Sequence, residues 1–349
     1  MSDRQLRARI LVPGDPGQMT GGYLYDAWVA AGLSARGHDV AVLDLHAPET
    51  DEALAVLGTV VVVDELAHRE YLARSRRKPR EFLALVHHLS SWEPADQHPR
   101  SWLVGAREEA FLRRASAVAT TSSRSGERLF RYAPTVLPPV ADVGAVPKGR
   151  ADFRAECTFV SVGTITARKQ LLPLVRAARA ELGPTDRLLI IGDDRYEPAY
   201  AKAVYAEAAG DPRIVFLGVL PREELLAHVA NADALFLVSS FEGYGMAAAE
   251  ALALGTPIVV TAVVAEALGA AVRPGENAIV IDGVDRLGDV LSELRSRPLV
   301  FARPPALPCA AAAPAFSPRS CSASPAGARI PACPGRSDGC DRWPAPPPP

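Results

Sequence analysis

Two glutamates eight positions apart, Glu242 and Glu250, have the spacing most suggestive of chemistry in this sequence. Apolar, strand-like runs precede and follow them, so a loop and a helix must lie between those runs. Eight residues span a little over two helical turns, so Glu242 sits at or just before the helix N-terminus if Glu250 lies on a helical face. Gly243 and Gly245 let backbone N–H groups approach a ligand, and a helix N-terminus favours a phosphate. The pattern indicates a crevice for a phosphorylated ligand, although a charged surface loop before an ordinary helix would have the same spacing.

A second candidate group lies upstream, where Gly163 follows an apolar run and Arg168 and Lys169 begin the next helical pattern. Cations at that point can neutralise a diphosphate. Adjacent helical residues do not share a face, so we expect Lys169 to contact the diphosphate and Arg168 to be the less favoured of the two candidates.

The elements that must position these residues alternate along the chain. Short β-branched apolar runs alternate with amphipathic stretches, which predicts βαβ units and parallel sheets. The pattern breaks over the proline-rich positions 134–150 and then restarts. We therefore predict an α/β protein of two doubly wound domains, at residues 1–145 and 146–297, with ligand crevices at the carboxyl ends of their strands.

The last 52 residues, 298–349, have a different composition. They hold 14 of the 31 prolines and almost no Ile, Leu or Val. Such a segment cannot offset an ordering cost of roughly 1–2 kcal/mol per residue. A disordered C-terminal tail is predicted.

Charge and hydropathy exclude other classes of protein. With 38 basic and 40 acidic side chains, the chain has no general positive field for a polyanion, so no nucleic-acid partner is expected. No apolar stretch resembles a secretion signal or spans a bilayer, which predicts a cytoplasmic protein. A basic run begins at Arg74 and ends at Arg80. It would attract anionic lipid headgroups by about 1 kcal/mol per charge, so peripheral contact with the inner membrane face is one interpretation and a solvated charge run the other.

No metal site is predicted. Four of the five cysteines lie in the tail, with no histidine nearby and no Cys-x2-Cys pair, so structural zinc is not expected. Asp193 and Asp194 are hard carboxylates that suit Mg²⁺. At the end of a predicted strand they are more simply turn or cap residues.

The segment from Phe241 to Gly245, followed by Glu250, resembles the Glu-x7-Glu motif of the retaining family-four glycosyltransferases. The resemblance implies the GT-B fold, in which two Rossmann-like domains face a cleft. It also implies transfer of a sugar from a nucleoside diphosphate sugar to an acceptor, with retention and with no metal or other cofactor. The acceptor is left open between a small molecule, a glycan and a lipid-linked group.

The resemblance also implies roles for individual residues. Glu242 would bind hydroxyls of the transferred sugar, and Glu250 the ribose. Lys169 matches the family's lysine, whereas Thr164 stands where the family has arginine and Gln170 where it has glycine. The implied catalytic residues are Glu242, Lys169 and His88. The implied donor-binding residues are Gly21, Gly22, Gly163, Arg168, Val219, Leu220, Gly243, Tyr244, Gly245 and Glu250.

Two of these assignments fall in the first domain. Gly21 and Gly22 would form the glycine-rich loop that closes over the donor phosphates, although two glycines are also common in an ordinary turn. His87 and His88 end a predicted strand, and one of two adjacent side chains must point toward the cleft as the other turns away. We predict that His88 is the histidine that contacts the donor sugar, a purely structural pair being the alternative.

Two other functions fit parts of the sequence. A catalytically impaired glycosyltransferase-like protein is one, because a proline-rich tail stands where the family has a helix that crosses back to the first domain. A nicotinamide-dependent oxidoreductase is the other, because parallel-sheet architecture alone does not exclude it. The glycine spacing of a dinucleotide-binding turn is missing from the sequence.

Overall fold

A computed structural model of the protein describes residues 5–18, 20–75, 81–93, 101–141, 143 and 156–296. Within these ranges the chain forms two six-stranded sheets, and every strand pairing in them is parallel. Helices alternate with the strands, as the hydrophobic pattern predicts.

The first sheet has the strand order β2-β1-β3-β4-β5-β6. Its strands are β1 (Arg7–Val12), β2 (Asp39–Asp44), β3 (Thr59–Asp64), β4 (Leu83–Val86), β5 (Ala117–Thr120) and β6 (Thr135–Val136). The helices that connect them are α1 (Gly21–Ser34), α2 (Glu49–Ala55), α3 (His68–Ser75), α4 (Ser101–Arg114) and α5 (Ser123–Arg128).

The second sheet has the strand order β12-β11-β10-β7-β8-β9. Its strands are β7 (Thr158–Val162), β8 (Arg187–Ile191), β9 (Ile214–Gly218), β10 (Ala234–Leu237), β11 (Ile258–Thr261) and β12 (Ala278–Ile281). Its helices are α6 (Leu171–Glu181), α7 (Pro198–Ala208), α8 (Arg222–Asn231), α9 (Met246–Ala253), α10 (Ala262–Leu268) and α11 (Leu287–Ser296).

Each sheet has one point where the chain reverses its direction of winding. In the first sheet this switch point lies between β1 and β3, and in the second it lies between β7 and β10. Loops that leave two such strands diverge to opposite faces and open a crevice at the carboxyl edge. The crevices therefore belong to the loops after β1 and β3 and to those after β7 and β10.

Apolar side chains on both faces hold the sheets between their helices. Phe159 and Phe236 are fully buried in the second sheet and meet edge to face, with ring centroids 5.5 Å apart. Leu174 of α6 and Leu188 of β8 are buried in the same cluster. Strands covered on both faces read as continuous apolar runs, which is why the sequence located them.

The structure adds elements that the sequence analysis did not predict: α2, α3, α10, β12 and the two-residue strand β6 within the proline-rich segment. The proposed domain boundary at 145/146 and the predicted tail at 298–349 lie outside the described residues. No helix within the described ranges is long and apolar enough to cross a membrane.

Candidate functional site

Glu242 lies in the loop that joins β10 to α9, on one side of the second sheet's switch point. The loop ends at Gly245, whose φ of 99° and ψ of 50° lie in the left-handed region that favours glycine. The following helix, MAAAEALA, is rich in alanine, the strongest helix former. The sequence thus sets Glu242 just before a helix N-terminus, as its spacing predicts.

Three donors converge on one oxygen of Glu242. Its Oε2 lies 2.8 Å from Lys169 Nζ, 3.0 Å from Ser239 Oγ and 3.3 Å from Arg168 Nη1. The side chains of Glu242 and Lys169 are only 13% and 12% exposed. The loops after β7 and β10 therefore meet through a largely buried ion pair.

The ion pair changes the protonation of both partners. Burial alone would raise the pKa of Glu242, but the Lys169 and Arg168 charges and the hydrogen bonds from Lys169 and Ser239 outweigh it and lower that pKa to about 2. Burial lowers the pKa of Lys169, and the Glu242 charge only partly opposes this. At neutral pH the carboxylate is thus ionised and can only accept hydrogen bonds.

The expectation that Arg168 and Lys169 would not share a face is wrong. Ala167–Lys169 is a 3-10 turn rather than part of an α-helix, and both cationic side chains contact Glu242. Arg168 also donates to the carbonyl oxygen of Phe241 at 2.9 Å. Gln170, at the position where the family has glycine, has a left-handed φ of 52°. The backbone conformation typical of glycine is kept without the glycine.

Gly163 lies directly over the Lys169 side chain. A Cβ built on Gly163 would lie 3.1 Å from Lys169 Cε, and the backbone φ is 148°. Gly192, at the end of β8, packs against the Gly163 carbonyl so closely that a side chain would overlap it. The two glycines let the ends of β7 and β8 meet next to the lysine.

Glu250 occupies a separate position on α9. It is 4% exposed, and its Oε1 accepts a hydrogen bond from Arg222 Nη1 at 2.9 Å. Burial raises its pKa, while the Arg222 charge partly opposes the change. Among the contacts of the described residues, none joins Glu250 to the Glu242 ion pair. Arg222 was not identified from the sequence, since it lies in an ordinary charged first turn of α8.

The other predicted donor-binding residues of this domain lie along the same carboxyl edge. Val219 and Leu220 follow β9, with Val219 53% exposed and Leu220 packed on the core. The Tyr244 hydroxyl lies 3.4 Å from the Pro139 carbonyl oxygen, and burial raises its pKa. Gly243 packs so closely on the His87 carbonyl that a Cβ would overlap it. Here the loop after β10 meets the loop after β4 of the first sheet.

Gly21 and Gly22 open α1 opposite the start of α9. A Cβ built on Gly21 would lie 3.5 Å from the Met246 side chain, and one on Gly22 would lie 3.5 Å from the His87 ring. Thr20, the N-cap residue, makes no side-chain capping bond, and the first turn of α1 has no acidic residue. The N-termini of α1 and α9 thus lie close together.

The two histidines after β4 point to different groups. His88 Nε2 lies 2.8 Å from Glu93 Oε1, which is 3.9 Å from Arg168 Nε, and its ring centroid is 5.4 Å from that of Phe241. His88 therefore joins the charged group around Glu242 through Glu93. The sequence analysis overlooked Glu93, which has no recognisable motif around it.

His87 instead faces the interior of the first domain. Its Nε2 lies 3.4 Å from Asp26 Oδ1 and 3.2 Å from Asp64 Oδ2. Neither approach has hydrogen-bond alignment, so these are ion-pair contacts. Ligand atoms of the three residues all lie within 4.8 Å of one another, the geometry of a possible metal site. Both aspartates went unnoticed in the sequence, although Asp64 ends a strand and Asp26 lies four residues after Gly22.

The remaining charged candidates have local partners. Asp193 accepts from the backbone N–H of Arg195 at 2.9 Å and pairs with its guanidinium, as a turn residue does. Asp194 accepts from the Tyr205 hydroxyl. In the basic run, Arg74 pairs with Asp51 at 2.6 Å, and positions 76–80 lie outside the described residues.

Part of the chain matches a known protein family. Residues 156–296 match the family described as Glycosyl transferases group 1. A 2-deoxystreptamine N-acetyl-D-glucosaminyltransferase of Streptomyces fradiae is 31% identical over 191 residues, which cover 49% of this chain and 45% of the relative. A 2-deoxystreptamine glucosyltransferase of Streptomyces kanamyceticus is 33% identical over 235 residues, covering 57% and 58%. The chain spans about half the length of these relatives.

The fold has solved counterparts. The chain is similar to sucrose-phosphate synthase from Thermosynechococcus elongatus, with a TM-score of 0.68 over 86% of this chain and 92% of that one. At 20% identity the likeness shows a common fold and nothing finer. The GT-B arrangement of two Rossmann-like sheets is thereby confirmed.

Proposed function

We propose that this chain, whose residues 156–296 match the glycosyl transferases group 1 family, moves a sugar from a nucleoside diphosphate sugar to an acceptor. The proposal includes retention of the anomeric configuration and independence of metal ions.

The observation that carries the proposal is the ion pair of Glu242 with Lys169 and Arg168 at the second sheet's switch point. Two cations and the N-terminus of α9 there face a crevice in which an anionic ligand is favoured. Glu242 itself accepts hydrogen bonds only, which suits the hydroxyl groups of a sugar. A diphosphate and a sugar are therefore the complementary ligands.

In the proposed reaction the bond between the sugar C1 and the diphosphate oxygen breaks, and a bond from C1 to the acceptor oxygen forms on the same face. The acceptor proton passes to the leaving diphosphate. Lys169, Arg168 and the backbone N–H groups before α9 stabilise the negative charge that develops on the diphosphate. Glu242 orients the sugar so that the two oxygens can exchange at C1.

For the acceptor we propose a small polyhydroxylated cyclitol. The two relatives described above are named for glycosyl transfer to 2-deoxystreptamine, an aminocyclitol. A lipid-linked acceptor drew its support from the basic run, whose first residue, Arg74, is engaged by Asp51. The two acceptors are distinguished by incubating the protein and donor with either 2-deoxystreptamine or a lipid-linked acceptor and measuring which of them is glycosylated.

A thermal-shift panel of UDP-, GDP-, ADP- and TDP-glucose tests the donor. A probe at 100 times its dissociation constant adds about 2.7 kcal/mol of stability. The probe that shifts the melting temperature is then incubated with acceptor, and release of the nucleoside diphosphate is followed. No shift with any probe would refute the donor site.

The rival functions give different results in the same experiments. A catalytically impaired protein would bind the donor without releasing nucleoside diphosphate. An oxidoreductase would change the fluorescence of NADH or NADPH on titration. The variant Glu242→Gln should abolish release of the nucleoside diphosphate. The matched control is Glu293→Gln, because Glu293 is an exposed glutamate on α11. Activity that survives chelation of metals would support metal independence.

A further inference from the structure

Three side chains that can bind a metal ion meet beneath α1, outside the Glu242 ion pair. They are Asp26 from α1, Asp64 from the end of β3 and His87 from the loop after β4, and are called here the His87 cluster. They lie at the carboxyl edge of the first sheet, next to its β1/β3 switch point. Three separate elements thus contribute one side chain each to a single point in the interior.

Most of the polar atoms of this cluster are buried without an aligned hydrogen bond. These atoms are both carboxylate oxygens of Asp26, Oδ2 of Asp64 and Nε2 of His87. Asp26 and Asp64 are both 0% exposed. The other oxygen of Asp64, Oδ1, is satisfied because it accepts from the backbone N–H of Leu66 at 2.6 Å. Buried carboxylate oxygens without donors are costly unless a cation compensates them.

The unsatisfied atoms have the spacing of ligands around one metal ion. His87 Nε2 lies 3.4 Å from Asp26 Oδ1 and 3.2 Å from Asp64 Oδ2. Ligands at about 2.1 Å from a tetrahedral ion lie about 3.4 Å from one another, and neighbouring ligands of an octahedral ion lie about 3.0 Å apart. The distances within the cluster fall in that range.

Neighbouring groups hold the ligands in place. The Leu66 N–H bond fixes the Asp64 carboxylate so that Oδ2 is the oxygen toward His87. The backbone N–H of His87 donates to Glu65 Oε2 at 2.8 Å. The Tyr25 ring meets the His87 ring edge to face, with centroids 5.1 Å apart. Outer contacts of this kind orient the ligands of metal sites in proteins.

The charge of the cluster also suits a divalent cation. Two carboxylates bring two negative charges into the interior, and an imidazole that binds a metal is neutral, so a divalent ion balances the set. Protons are the alternative, because burial raises the pKa of Asp26 to about 7, and the neighbouring carboxylates hold that of His87 above its usual range against the effect of burial. The two alternatives differ in whether the folded chain binds metal.

We propose that Asp26, Asp64 and His87 bind one divalent transition-metal ion, Mn²⁺ or Zn²⁺, in a structural site. The imidazole nitrogen favours these ions over Mg²⁺ and Ca²⁺, which prefer oxygen ligands throughout. A Cβ built on Gly22 would lie 3.5 Å from the His87 ring, so the ion ties α1, β3 and the loop after β4 together beneath the turn that opens α1. This inference goes beyond the proposed function. The ion does not contact the donor diphosphate, so sugar transfer stays metal-independent.

Binding of Mn²⁺ measures the site directly. Untagged protein is dialysed against a chelator and then titrated with Mn²⁺, and the loss of the electron paramagnetic resonance signal of free Mn²⁺ gives the number of sites and their affinity. We expect about one site per chain, and about a tenfold excess of Mg²⁺ should not displace the ion. Mn²⁺ is the deciding probe because four cysteines lie in residues 298–349 and thiolates select Zn²⁺.

Two double variants distinguish the His87 cluster from other carboxylates. Asp26→Asn/Asp64→Asn should bind Mn²⁺ at least about 100-fold more weakly than the wild type. The matched control, Asp193→Asn/Asp194→Asn, removes two carboxylates from the second domain and should bind Mn²⁺ as the wild type does. If the first double variant does not fold, the single variants Asp26→Asn and His87→Gln must each bind at least about tenfold more weakly.

The ion should also stabilise the folded chain. Mn²⁺ at 100 times its Kd should raise the Tm of the metal-free wild type by about 5 °C and that of Asp26→Asn/Asp64→Asn by less than about 1 °C. A wild type without a saturable site, or equal affinity in the wild type and this variant, would overturn the inference and leave the cluster compensated by protons. All these measurements are made without donor. A chain that binds Mn²⁺ in this way but no nucleotide sugar would refute only the proposed function.

Discussion

Changing Glu242 to Gln removes the charge that compensates Lys169 while leaving the shape of the side chain. Lys169 is then buried without its carboxylate partner, and Arg168 keeps only Glu93, whose Oε1 lies 3.9 Å from its Nε. The variant should therefore be less stable than the wild type at neutral pH, even though no volume is lost from the core.

The magnitude follows from the protonation of Glu242. Its pKa falls from the ordinary 4.5 to about 2 despite burial, because Lys169 and Arg168 stabilise the ionised form. At about 1.4 kcal/mol per pH unit, this corresponds to about 3 kcal/mol of stability. Because the folded-state pKa is the lower one, the full contribution is present above pH 4.5 and is lost as the pH falls toward 2.

Urea denaturation of the wild type, Glu242→Gln and Glu293→Gln at several pH values measures this contribution. The gap between the wild type and Glu242→Gln should be about 3 kcal/mol at pH 7 and narrow to about 1 kcal/mol at pH 3. Glu293→Gln should stay within about 0.5 kcal/mol of the wild type, as exposed substitutions do. A gap below 1 kcal/mol at pH 7, or one that does not depend on pH, would show that Glu242 is not ion-paired in the folded protein.

Three other substitutions have expected outcomes. Lys169→Ala should weaken binding of a nucleoside diphosphate by about tenfold or more and leave binding of the nucleoside unchanged, by calorimetry; equal losses for both ligands would count against its contact with the diphosphate. Glu250→Gln should weaken nucleotide binding by ~1.5–3 kcal/mol, and unchanged affinity would defeat its assignment to the ribose. Gln170→Gly should change the unfolding free energy by less than about 1 kcal/mol, whereas Gln170→Val should cost ~1–3 kcal/mol at the left-handed backbone position, and a harmless valine would argue against that conformation.

The sequence sufficed to predict the two parallel sheets because their strands are buried on both faces and read as apolar runs. It also placed Glu242 before α9, since the loop must fit between two strands. The short elements could not be predicted from the sequence, for physical reasons. The helix α3, HREYLARS, has few apolar residues, and β6 is two residues long within a proline-rich stretch.

The partners of the site residues were harder to predict because they come from distant parts of the chain. Glu93 and Arg168 are 75 positions apart and meet only through the packing of the two sheets. Arg168 was misjudged because its helical pattern begins with a 3-10 turn, which a periodicity argument does not distinguish from an α-helix. The identity of the histidine that contacts the donor sugar stays a prediction. His88 lies beside Glu93, and His87 lies beside Asp26 and Asp64.

The tight contact of Gly243 with the His87 carbonyl links the geometry of the cleft to its charges. Gly243 follows Glu242 directly, so the backbone that separates from the first sheet when the cleft widens is the backbone that carries the ionised carboxylate. Widening of the cleft must therefore move Glu242 relative to Lys169, whose side chain packs against Gly163. The width of the cleft and the geometry of the Glu242–Lys169 ion pair are therefore coupled through the backbone of Gly243.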